Sequence, residues 1–225
     1  MTYVNYGRND YICQTMKKPV FLILFLLVAV SCSMPVNTSE NASQALESVI
    51  MSRRSIRRYA ACPIGRDTLD IILNSGLNAP NGQNRQAYEI RVVDNPEFLA
   101  EISAAVQTGD SHAVDGAGSA ASAESIFHGA PCVLFLANDT SYDMSQVDCG
   151  LLGENMILTA WSMGIGSCCM AGPVRQMKES EACAPLIGKM GFSEGYNLLY
   201  CIVMGYPDES PSARPRKAEK IRYVE

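Results

Sequence analysis

The chain has 225 residues, which is long enough for one well-packed domain and short for two. Its composition is that of an ordinary globular protein, with 48% hydrophobic and 18% charged residues. The net charge of -5 argues against a nucleic-acid-binding protein, because no broad basic surface is available to neutralise phosphates. The basic residues are instead concentrated at Arg53–Arg58 and Arg214–Lys217, a pattern expected for a small anionic ligand.

Residues 1–32 have the pattern of an export leader. Met16-Lys17-Lys18 supplies a basic start, and Val20–Val30 is an apolar run of the length found in signal-peptide cores. This run is shorter than the roughly 20 apolar residues that a membrane-spanning helix needs. Small residues then lead into Cys32, which resembles a bacterial lipoprotein signal. The resemblance implies cleavage before Cys32, lipid attachment to its thiol, and a membrane-anchored protein that faces the periplasm. An uncleaved N-terminal anchor is the alternative.

The cysteines beyond Cys32 do not form a recognisable framework. They are odd in number and lack C-x-x-C pairs, so neither a set of disulfides nor a zinc site is predicted. We expect most of them to be small hydrophobic residues of the core, and we predict no metal ligand and no catalytic side chain among them. They are Cys62, Cys132, Cys149, Cys168, Cys169, Cys183 and Cys201.

After the leader, residues 33–42 are predicted to form a polar tether and residues 43–225 a single domain. Apolar residues recur at helical spacing over Leu46–Ile50, which predicts a first helix that ends at the arginines. Asp67 has the position of an N-cap for a second helix. That helix is predicted to end near Asn78, because the turn-forming residues that follow cannot continue it.

The remainder of the domain alternates between short apolar strands and helices. The predicted strands are Ile90–Val93, Cys132–Ala137, Ser167–Met170 and Leu198–Met204. The predicted helices follow Asn95-Pro96, span Met144–Met163 and begin at Pro173, and residues 108–125 are predicted to be a loop or lid. A few short strands separated by helices indicate an α+β protein, an α/β sandwich around one sheet.

Four of the arginines lie in the segment Arg53-Arg54-Ser55-Ile56-Arg57-Arg58. Guanidinium groups bind phosphate in a bidentate manner, and a serine hydroxyl with backbone N–H groups completes such a site. The alternative is a solvated basic end of the first helix, which the helix dipole favours. Arg214 and Arg216 form a second, weaker cluster near the C-terminus.

The segment Asn78–Gln86 is a loop with three asparagines and two glutamines in nine positions. The pyrimidine edge of a flavin presents carbonyls and an N–H group, which amide side chains and loop backbone can match. The alternative is an ordinary Asn-Gly turn. Together with the arginine segment, the loop favours a mononucleotide ligand, for which flavin is the best candidate.

Taken jointly, these segments resemble the nitroreductase family of FMN-dependent oxidoreductases, with coverage from Leu46 to Val224. The resemblance rests on four motifs in family order. They are Arg53-Arg54-Ser55-Ile56-Arg57, the loop beginning Ala79-Pro80-Asn81, the stretch Gly164-Ile165-Gly166-Ser167 that reaches Gly172, and Gly205-Tyr206-Pro207 followed by Arg214-Pro215-Arg216-Lys217.

The resemblance implies a central mixed or antiparallel sheet flanked by helices, in an intertwined homodimer that binds FMN. It implies a ping-pong hydride transfer through the flavin, from NAD(P)H or another donor to a small electrophilic acceptor that is quinone-like or nitroaromatic. The flavin carries out the redox chemistry, so no protein side chain is assigned a catalytic role. The alternative function is a membrane-tethered protein that binds flavin or a phosphorylated ligand without turnover.

The resemblance also assigns the cofactor contacts to individual residues. The phosphate and ribityl chain are assigned to Arg53, Arg54, Ser55, Arg57, Arg214 and Arg216. The isoalloxazine ring is assigned to Asn81, Asn84 and Gln86, which in this family typically come from the partner subunit. Backbone N–H groups of Met170, Ala171 and Gly172 are expected to face flavin N5 and O4.

The chain departs from the family pattern at the wall of the predicted pocket. Gln86 is followed by Ala87-Tyr88, where the family usually has Pro-Trp. The Gly-rich segment 108–125 has no clear counterpart and is expected to form the substrate face. Both departures bear on the identity of the substrate.

Overall fold

The structure is a computed structural model, and it describes residues 38–109 and 125–225. The predicted leader, the first part of the tether and most of the predicted lid lie outside these residues. The helices are α1 (Thr38–Ser52), α2 (Arg66–Leu77), α3 (Pro96–Gly109), α4 (Ser145–Ser162), α5 (Gly172–Glu179) and α6 (Ala184–Lys189). The strands are β1 (Tyr88–Val93), β2 (Cys132–Asp139), β3 (Gly166–Met170) and β4 (Tyr196–Gly205).

The four strands form one sheet in the order β1-β2-β4-β3, and every neighbouring pair is antiparallel. The central strand β2 is apolar almost throughout, because both of its faces are covered. Its residues Val133 and Phe135 pack on the side of α3, α5 and α6, and Leu134 and Leu136 pack on the side of α2 and α4. Helices therefore cover both faces of the sheet, and the predicted α+β class is confirmed.

Two helix starts differ from the sequence prediction. Helix α2 begins at Arg66 after Gly65, so Asp67 lies in the first turn and not at the N-cap. Its carboxylate still favours the positive end of the helix dipole from this position. Helix α1 begins at Thr38, so residues 38–42 of the predicted tether are helical.

The cysteines of the described residues occur as free thiols, and most of them lie in the core. Five are buried, Cys62 is half-buried and Cys169 is exposed, so the prediction that most of them are core residues is confirmed. Burial raises the pKa of the Cys132 thiol to about 12 and that of Cys149 to about 11. These two thiols therefore stay protonated at neutral pH and behave as small hydrophobic residues.

No helix within residues 38–109 and 125–225 is both long enough and apolar enough to cross a membrane.

Helix α4 lies close to β4 where Gly153 faces Tyr200. Gly150 and Gly153 lie about one turn apart on α4, and the lack of a side chain at a glycine permits close approach of a neighbouring group. The structure shows such an approach at Gly153, where an added Cβ atom would lie 2.2 Å from the Tyr200 hydroxyl oxygen, whereas at Gly150 it would meet no atom within 4 Å. The Tyr200 hydroxyl is held in place because it donates a hydrogen bond of 2.6 Å to the carbonyl oxygen of Cys149.

We expect Gly153→Ala to lower the free energy of unfolding by about 1–3 kcal/mol, because the added methyl group forces Tyr200 away from α4. The control is Gly188→Ala in α6, where a Cβ atom meets nothing within 4 Å. Alanine favours a helix more than glycine does, so the control should be neutral or stabilising by up to about 1 kcal/mol. Urea unfolding of the three proteins measures both effects, and equal stability of the two variants would contradict the prediction.

Candidate functional site

The arginine segment, Arg53–Arg58, lies beside β3, the edge strand of the sheet that precedes α5. The backbone N–H of Ile56 donates to the carbonyl oxygen of Ser167 in β3 at 2.9 Å, and Ser55 forms a parallel bridge with Ser167. The Ile56 side chain is buried and lies against Gly166. Since side chains alternate along an extended segment, Ser55 and Arg57 project to the side opposite Ile56.

The C-terminal tail is paired with the same segment, although the two are far apart in sequence. Ala60 donates its N–H to the Tyr206 carbonyl oxygen, and Asp208 donates its N–H to the Arg58 carbonyl oxygen, both at 2.9 Å. The Arg57 N–H also donates to the carboxylate of Glu209. These bonds bring the residues after Glu209 to the arginine segment.

The segment and the tail enclose a cavity of about 210 Å³, which we call the arginine cavity. Its lining includes five guanidinium groups and no carboxylate. The lining residues are Arg53, Arg54, Ser55, Arg57, Pro211, Ser212, Arg214 and Arg216. Five cations and two hydroxyl groups around one small space form a site for a multiply charged anion such as a phosphate.

The hydrogen bonds within the chain orient these arginines and leave donors for a ligand. Arg54 Nη1 donates to the carbonyl oxygens of Met51 at 2.9 Å and Arg53 at 2.7 Å, and Arg216 Nη1 donates to that of Arg214 at 3.0 Å. Arg53 Nε lies 4.0 Å from the carboxylate of Glu154, a partly exposed pair that contributes little stability. A guanidinium has five N–H donors, so each of these side chains can also bind an anion.

The segment Met170-Ala171-Gly172 connects β3 to α5. Ser167, beside the arginine segment, and Met170 are three residues apart on one strand, a separation of about 10 Å. The first N–H groups of a helix have no partner within that helix, so the start of α5 offers donors to a ligand. A second cavity, of about 330 Å³, lies beside α5. Its lining residues are Ala171, Val174, Arg175, Lys178, Glu179 and Leu199.

The amide-rich loop Asn81–Gln86 adopts an unusual backbone conformation. Gln83, Asn84 and Gln86 have positive φ values of 56°, 56° and 51°, in the left-handed region that favours glycine. The Asn81 side-chain oxygen accepts a hydrogen bond of 3.0 Å from the Gln86 N–H, so Asn81 braces the loop itself. Asn84 and Gln86 are exposed.

The structure does not bring this loop to the arginine cavity of the same chain. None of Asn81, Asn84 and Gln86 lines that cavity. The 12 residues of α2, a length of about 18 Å, lie between the arginine segment and the loop along the chain.

Sequence reasoning missed one residue beneath the loop. The carboxylate of Asp148 accepts a hydrogen bond from the Gly82 N–H, with 3.2 Å to Oδ1 and 3.3 Å to Oδ2. Asp148 lies on the buried face of α4 with Ser145 and Leu152. The signal in the sequence is a carboxylate at the helical spacing of core residues, where a charge requires a partner.

Comparison with known proteins identifies the family to which this fold belongs. The model of the nitroreductase family matches residues 50–206. The chain belongs to the nitroreductase family. The family match includes the arginine segment and the loop, and it ends before Arg214 and Arg216.

Individual proteins similar to this chain agree with the assignment. The NADPH-flavin oxidoreductase of Vibrio harveyi is 27% identical over 178 residues, which are 74% of this chain and 68% of the relative. The crystal structure of a nitroreductase with bound FMN from Desulfitobacterium hafniense has a TM-score of 0.69 and 28% identity, and the match covers 80% of this chain and 98% of that one. A nitroreductase with bound FMN from Bacteroides fragilis has a TM-score of 0.70 at 24% identity, with 80% and 98% coverage, and supports the fold alone.

Proposed function

We propose that this chain is an FMN-dependent oxidoreductase that passes hydride from NAD(P)H or another donor to a small electrophilic acceptor, quinone-like or nitroaromatic. The observation that carries the proposal is the arginine cavity, with five guanidinium groups and Ser55 around about 210 Å³. Its position in a nitroreductase fold is the second support, because a related nitroreductase of known structure has bound FMN.

The residues present fit a flavin mononucleotide. A dianionic phosphate matches a cavity that is lined by five cations and by no carboxylate. The start of α5 follows Met170, which lies about 10 Å along β3 from Ser167, and it provides N–H donors for the other end of such a cofactor. When bound, FMN supplies the hydride chemistry of the reaction.

Each group of residues then has a defined task. Arg53, Arg54, Ser55 and Arg57 hold the phosphate, and Arg214 and Arg216 close over it from the tail. The N–H groups of Met170–Gly172 hold the polar edge of the ring system. Asn84 and Gln86 contact the ring from the partner subunit, while Asn81 keeps their loop in shape. Donor and acceptor occupy the same place in turn, which is a ping-pong scheme.

The test of this function is an anaerobic titration of the purified protein, followed by visible absorbance. We expect a yellow protein whose flavin absorbance is lost on addition of NADPH, or of a quinol, and returns on addition of a quinone or nitroaromatic acceptor. Dithionite serves as the control, because it reduces any accessible flavin. A protein bleached by dithionite alone would favour flavin binding without turnover. A colourless protein that takes up no FMN would contradict the proposal as a whole.

We further propose that the enzyme works at a membrane surface, anchored by a lipid on Cys32. The support is the sequence pattern of a basic start, an apolar run and small residues before this cysteine. A periplasmic protein meets little NAD(P)H, so a quinol or a partner protein is then the favoured donor.

We expect Cys32→Ser to move the protein from the membrane pellet to the soluble fraction, because lipid attachment needs the thiol. Cys62→Ser, which changes a cysteine within the domain, should stay in the pellet. Recovery of the Cys32→Ser protein in the pellet after removal of its leader would show that another anchor is present.

A further inference from the structure

The loop Asn81–Gln86 holds a conformation that two of its residues do not favour. Gln83 and Gln86 lie in the left-handed region, which most L-amino acids with side chains rarely adopt, and Asn84, a residue type that tolerates this region, lies there as well. Such a conformation persists only where the surroundings hold it in place. The contacts that hold the loop therefore bear directly on how Asn84 and Gln86 are presented.

At the start of the loop, Gly82 contacts Asp148 of α4 and Tyr142, which lies just before α4. Both carboxylate oxygens of Asp148 lie within 3.3 Å of the Gly82 nitrogen. A Cβ atom on residue 82 would lie 1.8 Å from the Tyr142 hydroxyl oxygen, so Gly82 is confined on the other side. The Arg85 guanidinium lies over the Tyr142 ring, 4.5 Å from its centroid. Asp148 is the buried charged residue of this set, whereas Arg85 is exposed, and the Asp148 carboxylate accepts its hydrogen bond from the loop backbone itself.

Asp148 is buried, and a charged side chain is rarely buried without a partner that compensates for the loss of water. Its exposed fraction is 3%, and no cation within residues 38–109 and 125–225 lies within ion-pair distance of it. Tyr88 is the first residue of β1 and follows the loop. The pKa of its hydroxyl is raised mainly by burial and, to a smaller extent, by the Asp148 carboxylate. A buried carboxylate needs hydrogen-bond donors, and the loop backbone supplies one at Gly82.

We propose that Asp148 is a positioning residue of the cofactor site: its carboxylate fixes the backbone at Gly82 and so keeps the loop Asn81–Gln86 in the form that presents Asn84 and Gln86 to the flavin. The inference rests on the proposed function. It adds a residue on α4, which does not line the arginine cavity, to the set that determines flavin affinity.

The experiment compares Asp148→Ala, Asp148→Asn and the wild type as full-length proteins, with two readouts. The first is the rate of tryptic cleavage after the exposed residue Arg85, measured without added FMN. The second is the dissociation constant for FMN, measured by quenching of FMN fluorescence. Cleavage after Arg175 in α5 reports general unfolding and serves as the reference rate. Asp143→Asn removes an exposed carboxylate five residues earlier and is the matched control.

We expect Asp148→Ala to raise both the cleavage rate after Arg85, relative to Arg175, and the FMN dissociation constant about tenfold, as loss of one charged hydrogen bond implies. Asp148→Asn keeps one acceptor oxygen, so its changes should be smaller, and Asp143→Asn should match the wild type. Unchanged cleavage after Arg85, or equal acceleration at both sites, would overturn the positioning role. Faster cleavage with unaltered FMN affinity would also overturn it. A wild type that binds no FMN, with the cleavage pattern intact, would instead refute the proposed function.

Discussion

Simultaneous replacement of Arg53 and Ser55 by alanine is expected to give a folded protein that purifies largely without colour. Both side chains line the arginine cavity, and both are placed there by the pairing of Ile56 with Ser167. Hydrogen bonds to a charged group contribute about 1.5–3 kcal/mol each, so losing two of them should raise the FMN dissociation constant about 100-fold or more. Absorbance of the purified protein and an FMN titration measure the effect.

Arg58 provides a matched control for this variant. It lies in the same segment but outside the arginine cavity, and its guanidinium donates to the Asp208 carbonyl oxygen at 3.2 Å. Arg58→Ala should retain flavin, since it loses only an exposed pair with the tail. If the double variant keeps its full flavin content while circular dichroism shows a native fold, the assignment of the arginine cavity to the phosphate is wrong.

Much of the fold follows from local patterns in the sequence. The strand β2 can be predicted from its unbroken apolar run, which arises because both of its faces are covered. Helix α4 has the length that the stretch Met144–Met163 predicts. The start of α2 carries no comparable signal, because Gly65 has no side chain that could act as a cap. The spacing of apolar residues therefore predicts that a helix or strand is present more reliably than it predicts at which residue that element begins.

The candidate site could be predicted only in part, for a different physical reason. Arg53, Arg57 and the tail residues Arg214 and Arg216 stand out by their charge, and the structure brings them to one cavity. The role of Asp148 depends on a contact across 66 residues with a backbone N–H group, which has no signature in residue type. The left-handed backbone of the loop also could not be predicted from the sequence, because glutamine, the residue type at positions 83 and 86, does not favour positive φ.

Two exposed apolar surfaces favour the assembly that the shared site requires. Met144, at the N-cap of α4, and Val147 and Leu151 on the helix are spaced by three and four residues, so they form one exposed stripe along its first turns. On α1, Leu46 and Ile50 lie four residues apart on one face of the helix and are 58% and 48% exposed. Exposed apolar stripes mark surfaces that contact a partner, and a second copy of the chain related by a two-fold axis fits this requirement.

We therefore expect a homodimer in solution in which each flavin contacts the arginine cavity of one chain and the loop of the other. In a mixed dimer of one Arg53→Ala chain and one Asn84→Ala chain, the two changes then fall into the same site. The other site combines an intact cavity with an intact loop, so FMN binding at half of the sites should return to the wild-type affinity. If each site belonged to a single chain, every site in the mixed dimer would carry one defect and no affinity would be recovered.

The mixed dimer can be prepared with two different affinity tags and titrated with FMN beside the two parent homodimers. Recovery of half the wild-type stoichiometry supports the shared site, because neither parent has an intact pair of cavity and loop. The expected contrast is large, since loss of one charged hydrogen bond at Arg53 weakens binding by about tenfold or more. Uniformly weak binding in the mixed dimer, or light scattering that reports a flavin-loaded monomer, would contradict a site built from two chains.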